Sequence, residues 1–215
     1  MPTLVLATGN KGKVAEFQAL LGPQALGPAG FTLLTPEDIG FHGDVEETGT
    51  TFVENAFLKA QALAGLSPYP ILSDDSGLEV EALGGAPGLY SARYSELETG
   101  PAGPWLDVAG KPLPKAVANR TKLLKAMQGQ ADRRARFRCM LCYLAPGSEA
   151  AFFEGVCEGE VIQAERGGGG FGYDPVIVPK GYDKTFAELP GEIKDVISHR
   201  GRAVGLFLRS LAEKV

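Results

Sequence analysis

Two adjacent carboxylates, Asp74 and Asp75, stand in the stretch "LSDDSG". A carboxylate so placed can hold Mg²⁺, which keeps part of its water shell and bridges phosphate oxygens, or it can take a proton from water. Glu46, Glu47 and Glu54 offer further oxygen ligands. Side chains alternate along an extended chain, so Asp74 and Asp75 are expected to diverge, with only one needed at the reacting group. An acidic turn alone is more often solvated than catalytic. Its weight here comes from other stretches that suit phosphate.

The first is "ATGNKGKV" near the N-terminus. It is not a P-loop, because Ala7 stands where the first glycine belongs and Val14 where a hydroxyl is required. What remains is a glycine turn between a strand and a helix, with free N–H groups, a positive helix end, and the added charge of Lys11 and Lys13. An oligophosphate suits it; an ordinary strand-to-helix turn with two surface lysines is the plainer alternative.

"EIKDVISHRGRA" is the densest polar cluster, with Lys194, Ser198, His199, Arg200 and Arg202 around a helix start. Cations there oppose the helix dipole unless an anion or an electron-rich edge faces them. "GGGGFGYDP" places four glycines before Phe171, and each ordered glycine costs about 0.5–1 kcal/mol relative to alanine. Such a row suggests close backbone approach. Gly167, Gly169 and Gly172 fit G-x-G-x-x-G, but the stretch runs into "YDPVIVP" rather than opening a helix, so dinucleotide binding is set aside. A loop that lets Phe171 lie over a flat ligand is the functional reading; a surface hairpin is the bland one.

The elements that must position these residues follow from periodicity and punctuation. "TLVLA" reads as a buried strand, then a helix with Asn10 as N-cap and Gly22 as stop, in which Val14, Phe17, Leu20 and Leu21 recur at helical spacing. "FTLLTPEDIG" gives a second strand. A capping box from Thr51 to Glu54 opens another helix, whose apolar face is Phe52, Ala56, Phe57, Ala60 and Leu63. "YPILSDD" predicts a short strand ending at the aspartates, followed by a turn and a further extended piece. Residues 96–114 are Gly/Pro-rich and predict an irregular excursion bearing Trp105; "KAVANRTKLLKAM" predicts a helix. Two β-rich runs flank a hairpin at Pro146-Gly147, "FGYDPVIVP" supplies a strand, and a last helix starts near Ser198 with Ala203, Leu206, Phe207, Ser210 and Leu211 on its packing face. Strands and helices alternate without a strict rhythm, which predicts an α/β fold with a mixed sheet.

With 215 residues, 44% hydrophobic and 22% charged, the chain has the composition of one ordinary globular domain over residues 1–215. A net charge of −5 opposes a nucleic-acid polymer as partner. No run is long and apolar enough to cross a membrane and no basic leader precedes the first strand, so a cytoplasmic setting is expected. Cys139, Cys142 and Cys157 read as buried core thiols, since "CMLC" lies in an apolar strand. His42 and His199 are the only histidines, too few for a histidine metal cluster.

Four stretches in order, "ATGNKGK", "SDDSGLEVEALGGAPGLYSARY", "GGFGYDP" and "ISHRGRA", resemble the Ham1/RdgB/inosine triphosphatase family of non-canonical purine nucleoside triphosphate pyrophosphatases, across nearly the whole chain. The resemblance implies hydrolysis of ITP, dITP and XTP to monophosphate and pyrophosphate, dependence on Mg²⁺, a homodimer, and an elongated α/β fold of two lobes with a cleft between them. It assigns the phosphates to Thr8, Gly9, Asn10 and Lys13, with Lys11 and Gly12 in the same loop. Asp75 becomes the catalytic residue and metal ligand, with Ser76 touching substrate beside it. The Glu46-Glu47 pair supplies the second metal-side carboxylate, Glu47 being the preferred member. Phe171, Gly172, Tyr173 and Asp174 enclose the base, and Lys194, His199 and Arg200 read its edge. The excursion at 96–114 is longer than short bacterial members would lead one to expect.

In that reading specificity rests on donors. Hypoxanthine and xanthine carry a 6-oxo acceptor where adenine carries an amino donor, and a site built to bond one edge rejects the other by roughly 10⁴–10⁵-fold. A pyrophosphatase of the Maf type, which shares an ATGN-like start, and a nucleotide-binding module without turnover are the alternatives.

Overall fold

The computed structural model describes residues 1–97 and 105–213. Residues 98–104 of the Gly/Pro-rich excursion lie outside the described residues. Two compact units emerge: one of Met1–Ser76, Arg138–Val156 and Glu192–Val215, the other of Gly77–Phe137 and Cys157–Gly191. Among the described residues six strands form one sheet in the order β2-β1-β3-β4-β5-β6, with β1 at Thr3–Leu6, β2 at Thr32–Leu34, β3 at Ile71–Val80, β4 at Arg134–Leu144, β5 at Ala151–Val161 and β6 at Ile177–Pro179. β1 runs parallel to β2 and β3, and β5 antiparallel to β6, so the sheet is mixed, as expected.

In the first unit, helix α1 (Lys11–Leu21) is fixed at both ends by the residues that predict it. The Asn10 side chain accepts from the Gly12 and Lys13 amides, and the Gly22 amide donates to the Gln18 carbonyl. A short α2 (Pro23–Leu26) follows, then α3 (Phe52–Ala64), whose N-cap Thr51 accepts from the Glu54 amide at 3.1 Å. The Glu54 carboxylate accepts chiefly from the Thr50 amide and hydroxyl and more weakly from Thr51, which commits it to the helix start. α5 (Gly191–Ile197) and α6 (His199–Ala212) close the chain, and Ser198 caps α6 through the Gly201 amide at 3.0 Å. The core centres on Leu4, Leu6, Phe17, Leu72, Leu141 and Phe207. Cys139 and Cys142 are buried thiols, pushed by burial up to about 12 and about 11.

The second unit contains α4 (Lys115–Ala126), two short 3-10 pieces within Gly88–Leu97 that meet at a kink at Arg93 (φ −135°, ψ 25°), and β6 with the turn before it. Asn119 of α4 accepts from the Ser95 amide at 2.8 Å and donates to the Ser91 and Ala92 carbonyls, while Phe137 meets Phe186 edge-on at 5.7 Å.

Two local expectations change, and one element is unforeseen. "ILSDDSGLEV" is one continuous ten-residue strand, because sheet neighbours on both sides and ion partners for both aspartates override the turn signal of D-D-S-G. Leu206 is 39% exposed rather than packed, since the buried face of α6 runs through His199, Arg200, Ala203, Val204 and Phe207. Helix α5 has no counterpart in the sequence reading, because it carries no apolar stripe: Ile193 and Val196 are exposed and Lys194 is its one buried residue.

Candidate active site

The site is built in the first unit around β3. Alternation along that strand sends Asp74 and Asp75 to different partners, as expected, and both are buried. Asp74 Oδ2 meets Lys13 Nζ at 2.9 Å and Arg200 Nη2 at 3.1 Å, and accepts from Ser76 Oγ at 3.1 Å. Arg200 Nη2 also donates to Ser76 Oγ at 3.0 Å, and Nη1 pairs with the Glu16 carboxylate, which at the same time holds Lys194 Nζ at 2.5 Å. One carboxylate on α1 therefore joins the cations of α5 and α6.

On the other side, Asp75 Oδ1 meets Lys59 Nζ at 3.0 Å, and the same ammonium holds Glu47 Oε1 at 2.9 Å. Asn55 Nδ2 donates to Asp75 Oδ2 at 3.2 Å. Both Asn55 and Lys59 lie on the buried face of α3, one helical turn apart. Glu46 is exposed; of the acidic pair it is Glu47 that turns to the ammonium.

The two aspartates differ in proton affinity. Burial would raise Asp74, but Lys13, Arg200 and Lys59 outweigh it and hold the carboxyl far below the usual carboxylate range. At Asp75 burial prevails over Lys59 and Lys13, helped by the negative charge of Glu47, and its carboxyl is raised. Asp74 is thus a permanent anion, and Asp75 the better proton acceptor. Burial alone would lower Lys59; Asp75, Asp74 and Glu47 reverse this, so it stays an ammonium. Burial first, then the Arg200 charge, holds the His199 imidazole well below its ordinary value, so it is neutral at pH 7.

Of the glycine loop before α1, Gly9 is exposed, and a Cβ there would meet nothing within 4 Å among the described residues. Lys11 is exposed as well. The Gly12 and Lys13 amides, expected to face an anion, are taken by Asn10 Oδ1 at 2.9 and 3.2 Å, and the Asn10 amide donates to Thr8 Oγ1 at 3.2 Å. What converges on the aspartates is the Lys13 ammonium. At the other end of the unit, Gly155 of β5 lets the first turn of α6 sit against the strand: a Cβ there would lie 1.9 Å from the His199 carbonyl oxygen. Lys13, Ser76, Lys194, His199 and Arg200, far apart in sequence, are thereby gathered with both aspartates in one unit.

Phe171, Gly172, Tyr173 and Asp174 belong to the second unit, where they form a closed turn. Asp174 Oδ2 accepts from the Phe171 amide at 2.8 Å, Arg120 Nη1 donates to the Gly172 carbonyl at 2.9 Å, and the buried Tyr173 hydroxyl donates to the Ser91 carbonyl at 2.9 Å. The glycine run serves close approach, but within the chain itself. Gly170 has φ +68°, and a Cβ there would stand 2.0 Å from Asp174 Oδ2. Phe171 is the half-buried ring of the turn.

Sequence reasoning missed Glu16, Asn55 and Lys59. Each had a signal: Asn55 and Lys59 are polar interruptions of the stripe Phe52, Ala56, Ala60, Leu63, and Glu16 stands on α1 one position before Phe17, whose ring lies 5.6 Å from the Arg200 guanidinium.

Comparison with known proteins gives a consistent picture. The Ham1 family profile matches residues 4–210. A dITP/XTP pyrophosphatase of Bacillus licheniformis is 42% identical over 206 residues, 95% of each chain, and one of Rhizobium meliloti is 43% identical over 215 aligned positions, covering 95% of this chain and 94% of the relative. The Ham1 protein of Staphylococcus aureus superposes with a TM-score of 0.79 at 36% identity, covering 99% of this chain and all of that one. A nucleoside-triphosphatase / dITP/XTP pyrophosphatase of Mycobacterium abscessus gives 0.70 at 33% identity over 97% and 99%. Aspartates at one strand, held by cations from three helices, are thus set in a chain that matches this family almost end to end, and the protein is a member of the Ham1 family.

Proposed function

We propose that the protein is a nucleoside triphosphate pyrophosphohydrolase that converts the non-canonical purine nucleotides dITP, ITP and XTP to the monophosphate and pyrophosphate. The observation that carries this reading is the match, over 95% of the chain, to a relative named dITP/XTP pyrophosphatase.

In this reading the buried charges divide the work. Lys13 and Arg200 keep Asp74 ionised, and Lys13, with Lys11 and the open loop at Thr8, Gly9, Asn10 and Gly12, meets the phosphates. An ammonium has three donors, so Lys13 can hold Asp74 and a phosphate oxygen together. Asp75 takes the proton of the attacking water on a carboxylate oxygen. The water oxygen bonds to the α-phosphorus as the bond from that phosphorus to the α–β bridging oxygen breaks, and pyrophosphate leaves with the electron pair. Ser76, bonded to both Asp74 and Arg200, faces substrate from the same strand.

Mg²⁺ fits the donors present. Glu47 and Asp75 already share one cation, the Lys59 ammonium, and Asp74 Oδ1 is buried with no hydrogen-bond donor among the described residues. Among the described residues no three carboxylate, imidazole or thiol groups converge on a metal position, but Mg²⁺ ordinarily takes one or two carboxylates plus substrate phosphates. Asp75 and Glu47 would hold it, with exposed Glu46 as the neighbouring carboxylate. When bound it supplies charge neutralisation and Lewis-acid polarisation of phosphoryl oxygens.

For the base, Lys194 and neutral His199 supply N–H groups suited to a 6-oxo acceptor, while the terminal nitrogens of Arg200 are engaged by Glu16, Asp74 and Ser76. Phe171 offers the ring for stacking, with Gly172, Tyr173 and Asp174 shaping its turn. Homodimer assembly and a cytoplasmic setting belong to the same reading through the family resemblance; among the described residues no helix is long and apolar enough to cross a membrane.

A panel of triphosphates with pyrophosphate readout and added Mg²⁺ tests the assignment. XTP, ITP and dITP are expected to be turned over, with kcat/KM for ATP and GTP lower by 10²-fold or more. Equal turnover of ATP contradicts the specificity, and preference for UTP or a methylated base favours the Maf-type alternative.

A further inference from the structure

Asn55 is 2% exposed and sits one turn before Lys59 on α3. Its amide is used at both ends: Oδ1 accepts from the Gly49 amide at 2.8 Å, and Nδ2 donates to Asp75 Oδ2 at 3.2 Å. A backbone N–H can only donate, so this arrangement fixes which way the amide points. The contact to the loop is close enough that a Cβ on Gly49 would stand 2.6 Å from Asn55 Oδ1. Gly49 lies two residues after Glu47, so the Asn55 side chain links the loop that carries Glu47 to the strand that carries Asp75.

A second link runs in parallel, from Glu47 through the Lys59 ammonium to Asp75. The two links differ in kind. Lys59 carries a positive charge, and a divalent cation entering between the same carboxylates repels it and competes for the same oxygens. The Asn55 link is neutral and uses Asp75 Oδ2, whereas Lys59 uses Oδ1. We infer that Asn55 is a positioning residue that keeps Glu47 and Asp75 at cation-binding distance when the Lys59 ammonium gives way. This rests on the assignment, proposed above, of a divalent cation to those two carboxylates.

The probe is Mn²⁺, followed by its electron paramagnetic resonance signal in the full-length protein without nucleotide. Asn55→Leu, close in volume and unable to bond at either end, is expected to raise the Mn²⁺ dissociation constant tenfold or more and to remove hydrogen-exchange protection from the Gly49 amide. In turnover assays the same variant needs more Mg²⁺ for half-maximal rate, with KM for XTP within twofold of wild type. Glu54→Gln is the contrast: it weakens the other anchor of the loop, the bonds from Thr50, without touching Asp75, and is expected to leave Mn²⁺ binding within threefold. If Asn55→Leu does not fold, Asn55→Ser carries the same readouts. Wild-type affinity for Mn²⁺ in a folded Asn55 variant, an unchanged Gly49 amide, or no Mn²⁺ binding by the wild type overturns the inference. Mn²⁺ binding that responds to Asn55, in a protein that hydrolyses none of the triphosphates, would instead defeat the proposed activity alone.

Discussion

Asp75→Asn is expected to lower kcat for XTP hydrolysis by about 10²–10⁴-fold, the range for loss of a positioned general base. The substitution keeps the size of the side chain and an acceptor oxygen but removes the proton-accepting charge. Lys13 and the first loop are untouched, so binding of a non-hydrolysable triphosphate without Mg²⁺ should change far less than kcat. Asp75 also sets a pH signature. Because burial raises its carboxyl, the metal-free group becomes protonated at a higher pH than an ordinary aspartate, and kcat/KM at low Mg²⁺, where the metal-free enzyme is the reacting form, is lost as pH falls through that raised value. Asp74, held far below the usual range, contributes no such limb in the same window. Steady-state rates from pH 4 to 9 should show the acid limb in wild type and its absence from the residual activity of Asp75→Asn. A variant with wild-type kcat and an unchanged limb would move the base to another residue.

Arg200→Ala is expected to cost stability rather than chemistry alone. The Arg200 side chain is 1% exposed and pairs with both Glu16 and Asp74, and Asp74 itself is fully buried. Removing one member of a buried ion cluster leaves an uncompensated charge in low dielectric, typically worth about 3–5 kcal/mol, a large share of what a domain has. Lys13 remains beside Asp74 and keeps the loss from being larger. Arg200→Lys preserves charge but cannot reach Asp74, Ser76 and Glu16 with one planar fork, so it should fall between wild type and Arg200→Ala. Adding Asp74→Asn to Arg200→Ala should return part of the loss, because the stranded charge is gone; residues in one network are not additive. Urea unfolding measures all four proteins. A loss below about 1 kcal/mol for Arg200→Ala would mean that the cluster is not what holds α6 to β3.

Much of the framework was legible because helix caps are local chemistry. Asn10, Thr51 and Ser198 each accept from amides two or three residues ahead, and no tertiary contact is needed to anticipate that. The aspartates and cations were legible by type but not by pairing. Lys194 and Arg200 read as cations facing an anion, and the anion found first is Glu16, a residue 184 positions away from Arg200 that looks like an ordinary helix-surface glutamate. Lys59 lies on the buried face of α3 among apolar residues, where a lone lysine has no local partner in sequence to mark it. The row of glycines was read correctly as a sign of close approach, yet at Gly170 the approaching group is Asp174 of the same turn, which local composition alone cannot distinguish from a ligand. The continuity of β3 through Asp74-Asp75 depends on strands on either side of it, and its immediate neighbours in sequence argue for a turn.

The most direct measurement is hydrolysis of XTP in ¹⁸O-labelled water with Mg²⁺, followed by mass spectrometry of the products. Attack of an Asp75-activated water on the α-phosphorus predicts one labelled oxygen in the nucleoside monophosphate and none in pyrophosphate. Label in the pyrophosphate, or release of orthophosphate with a nucleoside diphosphate, would contradict it.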